Sequence, residues 1–377
     1  MRLSRLVITP FALPLRAPLR TARGETKERR GALVALHAAS GPVGHGEAAP
    51  VPGFGEETPE SCLRALPALG ERLLREDAQD LASRIDLLEQ AAPGLPATRF
   101  ALECALQDLE ARHHCVSVAA WLAGGATPRA TVEASALVGE REPGAAAAAA
   151  ARAVAQGFGT LKLKVGVGGL EEDLARVVAV RRAAGPDVRL RLDANGAWDP
   201  AQAIRTLRAL ADCALELVEQ PVAARDVAGL ARVRAETGIP IAADESAADP
   251  RALEALLASR ATDFVVLKPG ALGGLRASLR LAARAHSAGL GVFVTSGLDG
   301  IVARVAALAL AAALPGSLPA CGLATGALLA RDLAPGLEPE RGRLELPRGP
   351  GLGIAPDPAA LRALAAGPCI EVRRPCA

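Results

Sequence analysis

The chain of 377 residues has almost no net charge, +2 at pH 7, and no long run of basic side chains. Nothing in it offers a nucleic acid an electrostatic footprint. It also lacks an apolar run long enough, and free enough of charges and helix breakers, to span a bilayer. Its first residues, MRLSRLVITPFALPL, hold no uninterrupted apolar stretch with a small-residue cleavage site. A cytoplasmic protein whose partners are small molecules, with neither nucleic acid nor membrane, is expected. The cysteines, at 62, 104, 115, 213, 321, 369 and 376, show no C-x-x-C or Cys/His zinc spacing and read as reduced and mostly packed. Tyrosine is absent and lysine is scarce beside arginine, a bias that fits GC-rich coding. Against that scarcity the stretch TLKLKVG stands out.

What is present is a repeat of strand and helix signals. From about residue 130, eight β-rich segments alternate with alanine- and leucine-rich ones: VEASALVG, GTLKLKVG, VRLRLDAN, ALELVEQP, IPIAADES, DFVVLKPG, LGVFVTSG and ACGLATG. Eight strands with helices between them predict a parallel sheet able to close into a barrel. The polyalanine run after Gly144 reads as the first barrel helix. The region before, with GALVALHAA, the Gly/Pro-rich GEAAPVPGFGEE and the helical ATRFALECALQDLEARHH, reads as a separate α+β domain. The expected division is 1–125 for a capping domain, 126–330 for the barrel, and 331–377 for a C-terminal segment that returns to the cap.

Side chains alternate across a strand, so Lys162 and Lys164 share one face, opposite Leu161, Leu163 and Val165. Ionisable residues fall at the C-terminal ends of successive strands: Lys164, Asp193, Glu219, Asp244 and Lys268, spaced by 29, 26, 25 and 24 residues. Each interval is close to one β/α unit, so the five groups ring the barrel opening where such folds place their active sites. Three carboxylates in a partly buried mouth repel one another unless a cation neutralises them. Asp193, Glu219 and Asp244 offer hard oxygens only, which suits Mg²⁺, with Mn²⁺ able to substitute. Free lysine is a neutral base in only about one molecule in a thousand at pH 7. Lys162 and a nearby divalent cation would both disfavour protonated Lys164 and so help to make it a base.

KLK, DAN, EQP, DES and LKP, in this order, resemble the enolase superfamily in its muconate-lactonizing-enzyme subgroup. The resemblance covers nearly the whole chain. It implies an α/β fold, a (β/α)7β TIM-like barrel under an α+β capping domain built from the N-terminal region and the C-terminal tail. It also implies Asp193, Glu219 and Asp244 as metal ligands, Lys164 and Lys268 flanking a carboxylate substrate, and abstraction of the proton α to that carboxylate. RGETKERRGALVAL, GHGEAAPVPGFGEET, FVTSGLDGIVARV and ACGLATGALLARDL further resemble o-succinylbenzoate synthases, with Thr295, Gly300 and Ala324 departing from the usual residues. The activity implied is a lyase reaction of menaquinone biosynthesis, a syn dehydration of a cyclohexadiene carboxylate. Lys164 would be the base, Lys268 the electrostatic stabiliser, and Asn195, Ser296, Gly297, Arg23 and Gly53 the substrate contacts. Dipeptide epimerases typically carry Asp-x-Asp on the eighth strand, and CGLATG has no acid. N-acylamino acid racemisation and a catalytically silent binding barrel stand as alternatives, and a homo-oligomer remains open.

Overall fold

The computed structural model describes residues 1–21, 24–51, 54–75 and 80–374. Three strands open the chain: β1 (Leu3–Thr21), β2 (Gly24–Ala38) and β3 (Val43–Ala48). β1 and β2 form a long hairpin in which Ile8 faces Val34 and Leu6 faces Leu36. Three helices follow, α1 (Pro59–Arg75), α2 (Leu81–Ala91) and α3 (Pro96–His113), and then the short α4 (Val118–Leu122). α3 starts at a proline, whose missing N–H costs nothing in a first turn. Glu57 accepts the Ala97 and Thr98 amides there, at 2.6 and 2.9 Å. Leu6, Ile8, Val34, Leu36, Leu66, Leu102 and Leu106, all buried, join this sheet to its helices. Each such side chain stabilises by about 1.5–3 kcal/mol relative to exposure.

The second layer system is the ring. Strands β4 (Thr131–Glu133), β5 (Ala136–Val138), β6 (Thr160–Lys164), β7 (Arg189–Asp193), β8 (Leu215–Glu219), β9 (Ile241–Ala243), β10 (Phe264–Leu267) and β11 (Gly291–Val294) appear in chain order. Those from β5 to β11 form one parallel sheet in that order. The intervening helices are α5 (Pro143–Ala155), α6 (Leu170–Ala184), α7 (Pro200–Ala209), α8 (Val227–Thr237), α9 (Pro250–Ala258), the short α10 (Pro269–Leu272), α11 (Leu275–Ser287) and α12 (Ile301–Ala313). The expected eighth strand is reduced to two residues. Cys321 bridges Ala134 and Gly322 bridges Thr295, so this segment joins both edges and closes the ring.

The expected first strand, VEASALVG, is split. Its start, β4, pairs antiparallel with β12 (Arg343–Glu345), and only β5 enters the barrel. The break falls where the Ser135 amide turns to donate to the Cys321 carbonyl at 2.9 Å. After α13 (Pro358–Leu364), the last strand β13 (Ile370–Arg373) adds to the edge of β1, with Ile370 opposite Ile8. Among the described residues no helix is long and apolar enough to cross a membrane.

Candidate functional site

The parallel register lines up the chemistry. On β6, β7 and β8, Lys164 lies opposite Asp193 and Asp193 opposite Glu219. The leucines at 161 and 163 are fully buried between sheet and helices, which sends both lysines into the barrel mouth. Asp244 follows β9 and Lys268 follows β10. In the closed ring three positions separate β6 from β10 in either direction, so the β6 lysines and Lys268 face each other across the opening. Three of the chain's four lysines are therefore here, and Lys27 alone lies elsewhere.

Each lysine has a carboxylate. Lys162 Nζ lies 2.8 Å from Asp193 Oδ2 and 2.7 Å from Glu219 Oε2. Lys164 Nζ donates to the same Asp193 oxygen at 2.6 Å and to Asn195 Oδ1 at 2.8 Å. Lys268 Nζ donates to Asp244 Oδ2. Burial works against the Asp193 charge, but Lys162 and Lys164 outweigh it and hold the carboxyl well below its ordinary range. Burial, with the Asp193 charge beside it, pushes Glu219 up to about 7. Asp244 is raised by burial and by the neighbouring Glu245. Burial also opposes the charge on Lys162, yet Asp193, Glu219 and Asp244 together keep its ammonium above the usual lysine range. Lys162 thus stands as a counter-ion to two carboxylates.

Two further polar residues fix this geometry. Gln220, wholly buried with a positive φ of 38°, accepts the Asp244 amide at 3.1 Å and the Ser246 amide at 3.0 Å. Its Nε2 donates to Ser246 Oγ at 2.7 Å, so it ties the end of β8 to the end of β9. Asn195, also at positive φ, turns its Nδ2 to Glu245 Oε1 at 3.2 Å while its oxygen holds Lys164.

Glu219 Oε1 and Asp244 Oδ1 are buried and accept no hydrogen bond. A buried carboxylate oxygen without a donor is costly. Orphaned hard oxygens on adjacent strand ends fit a small divalent cation. Among the described residues no three His, Cys, Asp or Glu side chains converge closely enough to enclose one. The lysine ammonium groups occupy the space between the carboxylates instead.

The mouth opens into a cavity of about 500 Å³. Lys162, Lys164, Asp193, Asn195, Lys268, Ser296 and Gly297 line it, whereas Glu219 and Asp244 are not among its lining residues and reach it only through Lys162 and Lys268. Ser296 Oγ is 2.6 Å from Thr325 Oγ1, and the Gly297 amide already donates to Asp299 Oδ2 at 2.9 Å. Arg23 and Gly53 lie outside the described residues. From the β1–β2 hairpin, Leu19, Thr21 and Gly24 to Thr26 line the cavity. Sequence reasoning missed Phe54, whose ring lies 4.5 Å from Lys268 Nζ. It also missed Arg29, which donates to the Ala49 and Pro50 carbonyls at 2.9 Å each. Thr295, noted only as a departure, presents a buried hydroxyl without a partner to the cavity wall. No local motif marks these three, because their roles depend on how the cap meets the barrel.

Residues 4–123 match the mandelate racemase / muconate lactonizing enzyme N-terminal domain, and residues 145–360 match the enolase C-terminal domain-like family. A hydrophobic dipeptide epimerase from Enterococcus faecalis is 30 % identical over 94 % of this chain and 100 % of its own length. A dipeptide epimerase structure from that organism, with Mg and L-Leu-L-Tyr, superposes with a TM-score of 0.88, at 30 % identity over 94 % of this chain and 99 % of that one. An o-succinylbenzoate synthase from Thermobifida fusca is 47 % identical over 57 % of this chain and 66 % of its own length. N-succinyl Arg/Lys racemase from Bacillus cereus gives a TM-score of 0.92 at 25 % identity, covering 99 % of this chain and 100 % of that one.

Proposed function

Because the chain belongs to the mandelate racemase / muconate lactonizing enzyme family of the enolase superfamily, we propose that it is an o-succinylbenzoate synthase. The observation that carries the reading is the pair of lysine positions facing one cavity from opposite sides, with no acid where the eighth-strand segment meets it. Gly322, Ala324 and Thr325 line the cavity there. A substrate ammonium group would find no counter-charge on that side, which disfavours a dipeptide. The 47 % identity to an o-succinylbenzoate synthase supports the choice, although it spans a shorter stretch than the epimerase match.

Asp193, Glu219 and Asp244 would hold Mg²⁺, which when bound supplies Lewis-acid stabilisation to a substrate carboxylate. Lys164, as the neutral amine, takes the α-proton and leaves the electron pair on the carboxylate as an enediolate. It then returns that proton to the β-hydroxyl as the C–O bond breaks, so water departs from the same face and the ring becomes aromatic. Positioned proton transfer of this kind contributes about 10²–10⁴-fold. Lys268 remains cationic opposite, where negative charge develops, and the Phe54 ring covers its ammonium. Lys162 keeps Asp193 and Glu219 in place and adds positive charge beside Lys164.

A second reading, N-acylamino acid racemase, is favoured by the same opposition of lysines, since racemisation needs a base on each face. The likeness to N-succinyl Arg/Lys racemase supports it. Wild type and the Lys164→Ala and Lys268→Ala variants, given Mg²⁺ and D₂O, are compared on the cyclohexadiene carboxylate and on both enantiomers of an N-acyl amino acid. Aromatic product from wild type, abolished in Lys164→Ala, is expected. Rapid racemisation with lysine-specific exchange and no aromatic product would replace the synthase with the racemase.

A further inference from the structure

α12 begins without a cap of its own. Its N-cap position is Gly300, which has no side chain to accept the first-turn amides. The acceptors come from far away in sequence. Glu47, on β3 of the capping sheet and 0 % exposed, accepts the Gly300 amide at 2.6 Å and the Ala303 amide at 3.2 Å. Asp332 accepts the Ile301 amide at 2.9 Å.

Glu47 also stands at a junction between two cavity walls. Immediately after it the chain runs through Ala49 and Pro50, both clamped by Arg29, to Val51, which lines the cavity. Immediately before Gly300, Thr295 to Leu298 line the cavity from the barrel side. The two walls touch, because a Cβ on Gly297 would come within 2.4 Å of Val51 Cγ2. We infer that Glu47 is a positioning residue that sets the capping-sheet wall, Ala48–Val51, in register with the seventh-strand wall, Thr295–Leu298, by capping α12 from the other domain. A local cap would stabilise the helix equally well but would leave the two walls unconnected.

That difference gives the test. A serine at 300 supplies a local cap, and the backbone there, φ −69° and ψ 176°, is already extended as an N-cap requires. A Cβ at Gly300 would lie 2.8 Å from Glu47 Oε2 and 3.0 Å from Leu13 Cδ1, so truncating Glu47 removes the nearer contact and leaves the end of the Leu13 side chain to shift for the serine. Hydrogen exchange is followed on the full chain with Mg²⁺ for wild type, Glu47→Ala and Glu47→Ala/Gly300→Ser. In Glu47→Ala, both the first-turn amides of α12 and those of Ala48, Ala49 and Val51, the N–H groups of the Ala48–Val51 wall, exchange faster. In the double variant the helix amides regain protection while Ala48–Val51 remain fast. Turnover rests on the proposed function, and there kcat/KM stays down on the order of 100-fold in the double variant, the scale of a misplaced cavity wall.

Recovery of both segments and of kcat/KM in the double variant would reduce Glu47 to a simple cap and overturn the inference. Unchanged exchange of Ala48–Val51 in Glu47→Ala would do the same. If the alanine variants fail to fold, Glu47→Asp keeps the carboxyl but draws it back by one methylene from the Gly300 and Ala303 amides, and faster exchange of both segments is expected again. Protection of Ala48–Val51 equal to wild type in that variant overturns the inference. A wild type that turns over neither the cyclohexadiene nor the N-acyl amino acid sinks the proposed function, and the exchange data still decide on Glu47.

Discussion

Asp193→Asn should destabilise the metal-free protein far more than Glu219→Gln, although both remove a charge from the same ring. Asp193 is 1 % exposed and neutralises two ammonium groups, at 2.6 and 2.8 Å. At an effective dielectric constant near 20, each contact is worth about 6 kcal/mol of Coulomb attraction. Desolvation offsets much of that, and breaking a buried pair from one side costs about 3–5 kcal/mol net. Asparagine keeps an acceptor oxygen but leaves three lysines facing two carboxylates. Glu219 differs because burial and the Asp193 charge push it up to about 7, so it already shares a proton near neutrality. Glutamine mimics that protonated form, and the expected cost is about 1 kcal/mol. Mutual repulsion among the carboxylates would predict stabilisation instead, but at Asp193 the attraction of two ammonium groups outweighs it. Urea unfolding in EDTA at pH 7 measures both variants. Equal losses, or a gain in stability for Asp193→Asn, would refute the reasoning.

The same positions are the proposed metal ligands. Asp193→Asn, Glu219→Gln and Asp244→Asn should each weaken Mg²⁺ binding by more than the roughly 10–100-fold typical of outer-shell changes, by titration calorimetry. Unaltered affinity in all of them would remove the assigned site. His45, with its side chain 17 % exposed, is pushed down to about 4 by burial and by the Arg112 and His37 charges. Its folded value lies below the unfolded 6.5, so its contribution is complete above pH 6.5 and is lost as pH falls through 4. The loss is on the order of 3 kcal/mol. Urea unfolding of wild type and His45→Gln between pH 7 and 4 should show that difference, and a His45 titration near 6.5 by NMR would contradict it. Arg191, 1 % exposed inside the barrel, donates to Glu216 at 2.5 Å and to the Ala320 carbonyl at 2.7 Å, with its guanidinium 4.7 Å from the Phe293 ring centre. Arg191→Ala should cost about 3–5 kcal/mol through the lost pair and the space left behind, and Arg191→Met less, by thermal unfolding.

The sequence by itself determined the ring. Alternation on β6 sends Lys162 and Lys164 to one face, and the intervals from Lys164 to Lys268 each match one β/α unit, so the order and placement of five ionisable groups follow from local periodicity. Backbone geometry alone enforces both regularities, and each is legible in one dimension. The first and last barrel strands were misjudged because their pairing is settled by distant partners: Thr131–Glu133 goes to β12, and the eighth position survives as the bridges at Cys321 and Gly322. Tertiary structure alone decided that Lys162 neutralises Asp193 and Glu219, that Gln220 binds the Asp244 backbone, that Phe54 covers Lys268, and that Glu47 caps a helix more than two hundred residues away. Those contacts are fixed by how the capping sheet docks on the barrel and by which buried groups lack partners once water has been excluded. No spacing between neighbouring residues encodes either condition.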